Sequence, residues 1–156
     1  MGEIKVGEIA PDFELSTDGG GTVRLSELSG SPVVLYFYPK DDTPGCTLEA
    51  IEFTALGPEF AALGARVIGI SPDSPKSHDK FKQKHELTVQ LAADVDKEVV
   101  NRYGVWVKKS RYGREYMGVE RTTFLVGPDG RIKVTWPKVT AKGHAEAVLE
   151  AVRQLN

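Results

Sequence analysis

Val33-Val34-Leu35-Tyr36-Phe37-Tyr38-Pro39-Lys40-Asp41-Asp42-Thr43-Pro44-Gly45-Cys46-Thr47-Leu48-Glu49 is the stretch from which the rest of the chain can be read. Val33 to Tyr38 form a short, largely apolar run, the pattern of a strand buried on both faces. Two prolines and a glycine then fix the path of the backbone, and the segment that follows has helical periodicity. The stretch reads as strand, shaped turn and helix, with the only cysteine of the chain, Cys46, at the start of the helix.

That placement has a chemical consequence. The first N–H groups of a helix lack intrahelical partners and the macrodipole is positive there, so an anion is favoured. A free cysteine, with pKa about 8.5, is only a few per cent thiolate at pH 7. Bringing it to about 6 takes roughly 3.4 kcal/mol of preferential anion stabilisation. A helix dipole supplies about 0.3–2 kcal/mol. A cation from elsewhere in the chain must supply the rest. A lone cysteine is commonly a small buried hydrophobe, but Thr-Pro-Gly before Cys46 and Thr47 and Glu49 after it are turn and cap chemistry.

The 156 residues fit one domain, 1–156, with a real core. Hydrophobic residues make up 40% and charged residues 27%, as in an ordinary globular protein. The 20 basic and 22 acidic residues leave a net charge of −2 without a long basic run, which gives no case for nucleic acid. No apolar stretch approaches the roughly 20 residues of a membrane span. Met1-Gly2-Glu3-Ile4-Lys5 carries no apolar signal core, and Val6 stands where an acylation signal needs Ser or Thr. One cysteine cannot form an internal disulfide, which suits a reducing cytoplasm.

Around the opening stretch the chain reads as α/β. Phe13–Leu15 and Thr22–Leu25 alternate like two short strands about the Asp18-Gly19-Gly20-Gly21 turn, an N-terminal hairpin followed by a helical turn at Leu25–Leu28. Residues 46–63 form a helix with Leu48, Ile51, Ala55, Phe60 and Leu63 on its apolar side, kinked or divided at Gly57-Pro58. Val67–Ser71 is a second buried strand. A helix starts at Ser74-Pro75 and runs to about His85. Gln90–Ala92 is a short strand, and Asp96–Gly104 a capped helix closed by glycine. Residues 105–120 read as a polar and aromatic loop. Thr122–Val126 and Arg131–Val134 flank Pro128-Asp129-Gly130 as a hairpin. A last helix covers about 143–155, with Ala145, Val148, Ala151, Val152 and Leu155 as its stripe. The central strands should lie between helices.

The chain resembles the peroxiredoxins, most closely their bacterioferritin-comigratory or Q-type branch. Pro39, Thr43 and Cys46 match the active-site pattern of that family. Arg121 in Glu120-Arg121-Thr122-Thr123-Phe124 matches its distant arginine, and Ala10-Pro11-Asp12-Phe13 and Tyr103-Gly104-Val105-Trp106 match flanking signatures. The resemblance implies a thioredoxin-like fold, a central mixed sheet flanked by helices. It implies a thiol-dependent peroxidase acting on hydrogen peroxide and organic hydroperoxides without metal, flavin, haem or other cofactor. Cys46 would be the nucleophile that becomes a sulfenic acid. Arg121 would be the missing cation, its donor fork serving thiolate and peroxide. The Thr43 hydroxyl would accept from the peroxide and donate to the thiolate, Pro39 would shield the site, and Glu49 would hold the arginine. Complete ionisation of the thiol gains only about 30-fold. Donors aimed at the breaking O–O bond, each worth about 100- to 1000-fold, must supply more; Arg121 and the N–H groups of Gly45 and Cys46 are the candidates.

The chain departs from many Q-type relatives in lacking a resolving cysteine. The two positions where relatives carry one align with Ile51 and Lys82. The resemblance is therefore to a single-cysteine member, reduced by an outside thiol (thioredoxin, or glutathione with glutaredoxin) or by Cys46 of a second subunit. It further implies a monomer or at most a weak dimer. Two other readings are a glutathione-dependent thiol-disulfide exchanger and a non-enzymatic chaperone or binding protein. His78, His85 and His144 show no metal-ligand spacing. Asp41-Asp42 reads as a solvated turn, as do Lys40, Arg111, Arg114 and Lys138 as a solvated basic face. Trp106, Tyr112 and Tyr116 either line the entrance to the cysteine or cover the core edge.

Overall fold

The structure is a computed structural model and describes residues 4–155. The Met1-Gly2-Glu3 part of the opening segment lies outside the described residues. In chain order the elements are β1 (Glu14–Thr17), β2 (Thr22–Arg24), β3 (Val33–Phe37), α1 (Pro44–Ala55), α2 (Gly57–Ala62), β4 (Arg66–Ser71), α3 (Pro75–His85), β5 (Gln90–Ala93), α4 (Glu98–Arg102), β6 (Trp106–Arg111), β7 (Arg114–Val119), β8 (Thr122–Val126), β9 (Ile132–Trp136) and α5 (His144–Arg153). Seven strands form one mixed sheet in the order β2-β1-β5-β4-β3-β8-β9, and β6 and β7 form a separate ribbon.

The apolar run Val33–Tyr38 lies at the centre. β3 pairs in parallel with β4 and antiparallel with β8. Its side chains alternate between two cores, as strand geometry requires. Val33, Leu35 and Phe37 pack with Ile68, Ile70, Phe124 and α4. Val34, Tyr36 and Tyr38 pack with Cys46, Phe53, Phe81 and α5. Tyr36 stacks on Phe53 with ring centroids 4.6 Å apart. It also lies over its register partner Gly69, where a Cβ would come within 2.6 Å of the ring. Only glycine admits the tyrosine there.

Several expectations hold. The N-terminal hairpin forms, β1 antiparallel to β2, and Leu25–Leu28 is a 3-10 turn. The first long helix is divided at Leu56, with Pro58 in the first turn of α2. Ser74 caps α3 by accepting from the Ser77 N–H at 3.1 Å. The Pro128-Asp129-Gly130 turn joins β8 to β9.

Four expectations are corrected. Helix α1 begins at Pro44, not Cys46, because proline without an N–H is suited to the first helical position. Its buried side is Cys46, Glu49, Ala50 and Phe53, whereas Leu48 and Ile51 are exposed. The polar residues turn inward because a partner from far along the chain meets them. Residues 105–120 are not a loop: β6 and β7 pair from Trp106↔Val119 to Arg111↔Arg114. The turn residues Tyr112 and Gly113 take φ of 53° and 75°, the positive pair that suits a two-residue hairpin. Finally, Asp96 is not the cap of α4. Lys97 precedes the helix, and the buried carboxylate of Asp94 accepts from the Val100 N–H at 2.8 Å. No helix among the described residues is long and apolar enough to cross a membrane.

Candidate active site

The chain leaves β3 through Tyr38 and half-buried Pro39 and turns at Asp42, which has φ of 60°. It enters α1 after Thr43, an extended residue immediately before the helix. The Thr47 N–H donates to the Thr43 carbonyl at 2.8 Å, the first bond of the helical ladder. The N–H groups of Gly45 and Cys46 lie upstream of it and have no intrahelical acceptor. Cys46 is thus in the first turn of a 12-residue helix, with only 1% of its surface exposed.

Arg121, at the junction of β7 and β8, reaches the same place. Its Nη2 donates to Cys46 Sγ at 3.2 Å and its Nη1 to Glu49 Oε1 at 2.6 Å. One guanidinium therefore spans the sulfur and a fully buried carboxyl one helical turn later, using the fork geometry that lysine lacks. The Arg121 carbonyl accepts from the Val139 N–H at 2.8 Å, which fastens the backbone that carries it. Gly45 makes room for it: a Cβ there would lie 3.0 Å from Arg121 Nη2.

The electrostatics follow from burial. Burial pushes Glu49 up to about 7 against the pull of Arg121. Its Oε2 makes no hydrogen bond, and neither does the equally buried Tyr36 hydroxyl. Burial raises Tyr36 well above its ordinary range, and the negative charge of Glu49 adds to this. The opposing charges of Cys46 and Glu49 hold Arg121 above its ordinary value although burial works the other way. Behind the helix, His144 Nε2 lies 2.8 Å from Thr123 Oγ1, with Phe53 and Trp136 edge-on to its ring. Burial, with a smaller effect of Arg121, pushes His144 down to about 4.

The structure therefore brings Cys46, Glu49 and Arg121 into direct contact, with Gly45 and Thr43 beside them. Thr43 differs from the expectation in one respect. Its hydroxyl donates to the Lys40 carbonyl at 2.8 Å, so its single proton is not given to the sulfur and its lone pairs remain to accept. Lys109 on β6 was not picked out from the sequence. Partial burial and then the charge of Arg121 lower it below the ordinary lysine range. Nothing in the run Lys108-Lys109-Ser110 distinguishes it from a solvated lysine.

Of the Asp41-Asp42 turn, expected to be solvated, Asp42 is exposed and Asp41 is buried, and α3 engages both. Asp42 accepts from Lys84 Nζ at 2.6 Å and faces His85 Nε2 at 2.8 Å. Asp41 is buried against His78, with Nδ1 to Oδ2 at 2.7 Å. Of the aromatic residues, Trp106 packs against the core, whereas Tyr112 is 91% exposed at the ribbon tip. Of the two positions aligned with resolving cysteines, Ile51 faces outward and Lys82 donates to Asp18 Oδ2 at 2.7 Å, tying α3 to the N-terminal hairpin. Among the described residues no group of three His, Cys, Asp or Glu could hold a metal ion.

Residues 6–135 match the AhpC/TSA family. The chain is 46% identical to peroxiredoxin Bcp of Bacillus subtilis over 153 residues, 98% of each protein. It is 49% identical to the putative peroxiredoxin bcp of Coxiella burnetii over 146 residues, 94% of this chain and 97% of the relative. Among solved structures it is similar to the bacterioferritin comigratory protein of Xanthomonas campestris, studied for its alkyl peroxide reduction activity. The TM-score is 0.89 at 41% identity, covering 97% of both chains. A cysteine-to-serine mutant of PrxQ from Xylella fastidiosa superposes with a TM-score of 0.93 at 37% identity over 99% of both chains.

Proposed function

The chain belongs to the AhpC/TSA family, among the Bcp peroxiredoxins of thioredoxin-like fold, and from that premise we propose that Cys46 is the peroxidatic residue of a single-cysteine cycle. The enzyme is a thiol-dependent peroxidase, an oxidoreductase. The observation that supports the assignment of Cys46 is the guanidinium of Arg121 held between the Cys46 sulfur and the buried Glu49.

In the first step the Cys46 thiolate attacks one oxygen of hydrogen peroxide or an organic hydroperoxide. An S–O bond forms, the O–O bond breaks, and the departing oxygen leaves as water or an alcohol once it has taken a proton. The sulfur is oxidised to the sulfenic acid and the peroxide is reduced. Charge develops on the leaving oxygen. Arg121 and the free N–H groups of Gly45 and Cys46 are the donors placed for it, while the Thr43 oxygen accepts from the peroxide O–H. Pro39 covers the loop side. Glu49 keeps the guanidinium at the sulfur by accepting from its other nitrogen.

The chain has one cysteine. An outside thiol attacks the sulfenic acid, releasing water and leaving a mixed disulfide, and a second thiol restores Cys46. Thioredoxin, or glutathione with glutaredoxin, would serve as that reductant. We read residues 1–156 as one domain, acting in the cytoplasm as a monomer. Intact-protein mass after one equivalent of hydrogen peroxide tests the cycle. A gain of one oxygen alone, replaced by a glutathione adduct when glutathione is present, is the expected result. A slow, substoichiometric change would overturn the assignment of Cys46.

A further inference from the structure

The loop that carries Pro39 and Thr43 is gripped from behind by helix α3. Asp41 is the centre of that grip. The Tyr38 hydroxyl donates to its Oδ1 at 2.6 Å and the Ser77 hydroxyl to its Oδ2 at 2.8 Å. His78 Nδ1 lies 2.7 Å from the same Oδ2, and His78 is fully buried. The other ring nitrogen of His78, Nε2, lies 3.0 Å from the Ala92 carbonyl on β5. A carbonyl can only accept, so Nε2 carries a proton. Nδ1 then meets a carboxyl oxygen, and two bare acceptors do not sit 2.7 Å apart. A second proton therefore lies within that bond, on one atom or the other.

The grip continues into the backbone. The Asp41 N–H donates to Asp73 Oδ2 at 2.8 Å, and that oxygen also accepts from the Ser71 hydroxyl at 2.7 Å. The peptide unit that presents this N–H presents, on its other side, the Lys40 carbonyl. That carbonyl takes the Thr43 hydroxyl proton at 2.8 Å. Fixing Asp41 therefore fixes the plane of the Lys40–Asp41 peptide, and with it the direction in which the Thr43 oxygen shows its lone pairs.

We propose that His78 and Asp41 form a positioning pair for the peroxidase reaction: the proton they share locks the Lys40–Asp41 peptide so that the Thr43 oxygen is aimed at the peroxide beside Cys46. The inference rests on the peroxidatic role of Cys46 given above. It assigns work to a buried Asp–His pair, drawn from positions 37 residues apart, that touches neither sulfur nor substrate.

The test uses Asp41→Ala, Asp41→Asn, Thr43→Val and the Asp41→Ala/Thr43→Val double variant of the full chain. The rate constant for oxidation of Cys46 by hydrogen peroxide is measured for each and corrected for the titrated thiolate fraction. Asp41→Ala frees the peptide and should lower the corrected rate roughly 10- to 100-fold, the scale of a misaimed group. In Asp41→Asn the amide can donate to Nδ1 and its oxygen can still accept from Tyr38, so the rate should return to within about threefold of the unmodified protein. Because the loss passes through Thr43, the double variant should be no slower than the slower single one. Losses that multiply, an asparagine variant as slow as the alanine variant, or an alanine variant at the unmodified rate would each overturn the proposal. A strongly deshielded, slowly exchanging His78 ring proton in the NMR spectrum of the unmodified protein is expected. Its absence removes the lock even if an Asp41 variant fails to fold. Unmodified protein that oxidises no faster than free cysteine would defeat the role of Cys46 itself; a fast unmodified protein with an equally fast Asp41→Ala defeats the positioning pair alone.

Discussion

Glu49→Gln is the substitution that best separates the parts of this site. The Glu49 side chain is wholly buried, one carboxyl oxygen accepts from Arg121 at 2.6 Å, and the other has no hydrogen bond. Burial holds the group at about 7, against an ordinary value of 4.5. The folded state thus binds the Glu49 proton more tightly than the unfolded chain does. Its contribution to stability is present below pH 4.5 and is lost as the pH rises to about 7. At about 1.4 kcal/mol per pH unit the loss is about 3 kcal/mol. Glutamine keeps an oxygen for Arg121 and removes the titration. Urea unfolding of both proteins at pH 4.5, 5.5, 6.5 and 8 measures this. The stability of the wild type relative to the variant should fall by about 3 kcal/mol across the series. With an m-value of about 1–3 kcal/mol/M, that is a relative midpoint shift of roughly 1–3 M. The comparison matters because His144, held down near 4, gives the opposite slope: its contribution is full above pH 6.5 and is lost as the pH falls toward 4. These two slopes oppose each other in the wild type, and only the difference between the two proteins isolates Glu49. A difference that stays constant from pH 4.5 to 8 would refute the reasoning. The rate with peroxide should stay within about tenfold of wild type, since an amide oxygen still orients the guanidinium, though through a weaker bond than a carboxylate makes.

Two further predictions concern the same guanidinium. Arg121→Ala should slow Cys46 oxidation about 100- to 1000-fold more than the change in thiolate fraction accounts for, because a donor to the breaking O–O bond is lost as well as a cation. Stopped-flow oxidation paired with a thiolate titration decides this, and a loss that the titration explains entirely would contradict it. Gly45→Ala places a methyl 3.0 Å from Arg121 Nη2; the expected outcome is a roughly tenfold slower reaction, as for a slightly misplaced group, with a melting temperature within a few degrees of wild type. An unchanged rate would show that the guanidinium can shift without cost.

Much of this architecture was legible because its cause is local. The apolar run of β3 and the Asp18–Gly21 and Pro128–Gly130 turns each fix their own neighbourhood, so the two hairpins at those turns and the central strand follow from short stretches. The ribbon of β6 and β7 was missed for the complementary reason. Its strands are Trp-Val-Lys-Lys-Ser-Arg and Arg-Glu-Tyr-Met-Gly-Val, with no sustained alternation because only the base of the ribbon, Trp106 and Val119, meets the core. Its only local mark was the Tyr112-Gly113 turn. The pairing of Arg121 with Cys46 was legible only by resemblance, because the cation that the thiol calls for could not be located from the sequence pattern alone.

The rotation of α1 shows why the site is harder to read than the fold. Leu48 is two residues, about 200°, from Cys46, so a helix turned to bury Leu48 would carry the thiol outward. Leu48 and Ile51 are left 39% and 42% exposed, which forgoes on the order of 1 kcal/mol each. In return Cys46, Ala50 and Phe53 go inward and Phe53 stacks on Tyr36. The remaining inward residue is a carboxyl, and burying it alone would cost several kcal/mol. Arg121, 72 residues away, supplies the hydrogen bond that makes this orientation tolerable. The same holds for Asp41, in the turn before α1, whose partner His78 lies on α3. In both places the chain buries a charge-bearing group against the local hydrophobic pattern. Each such group is paired with a residue that only the folded topology brings near, so the buried charges mark where the proposed chemistry lies.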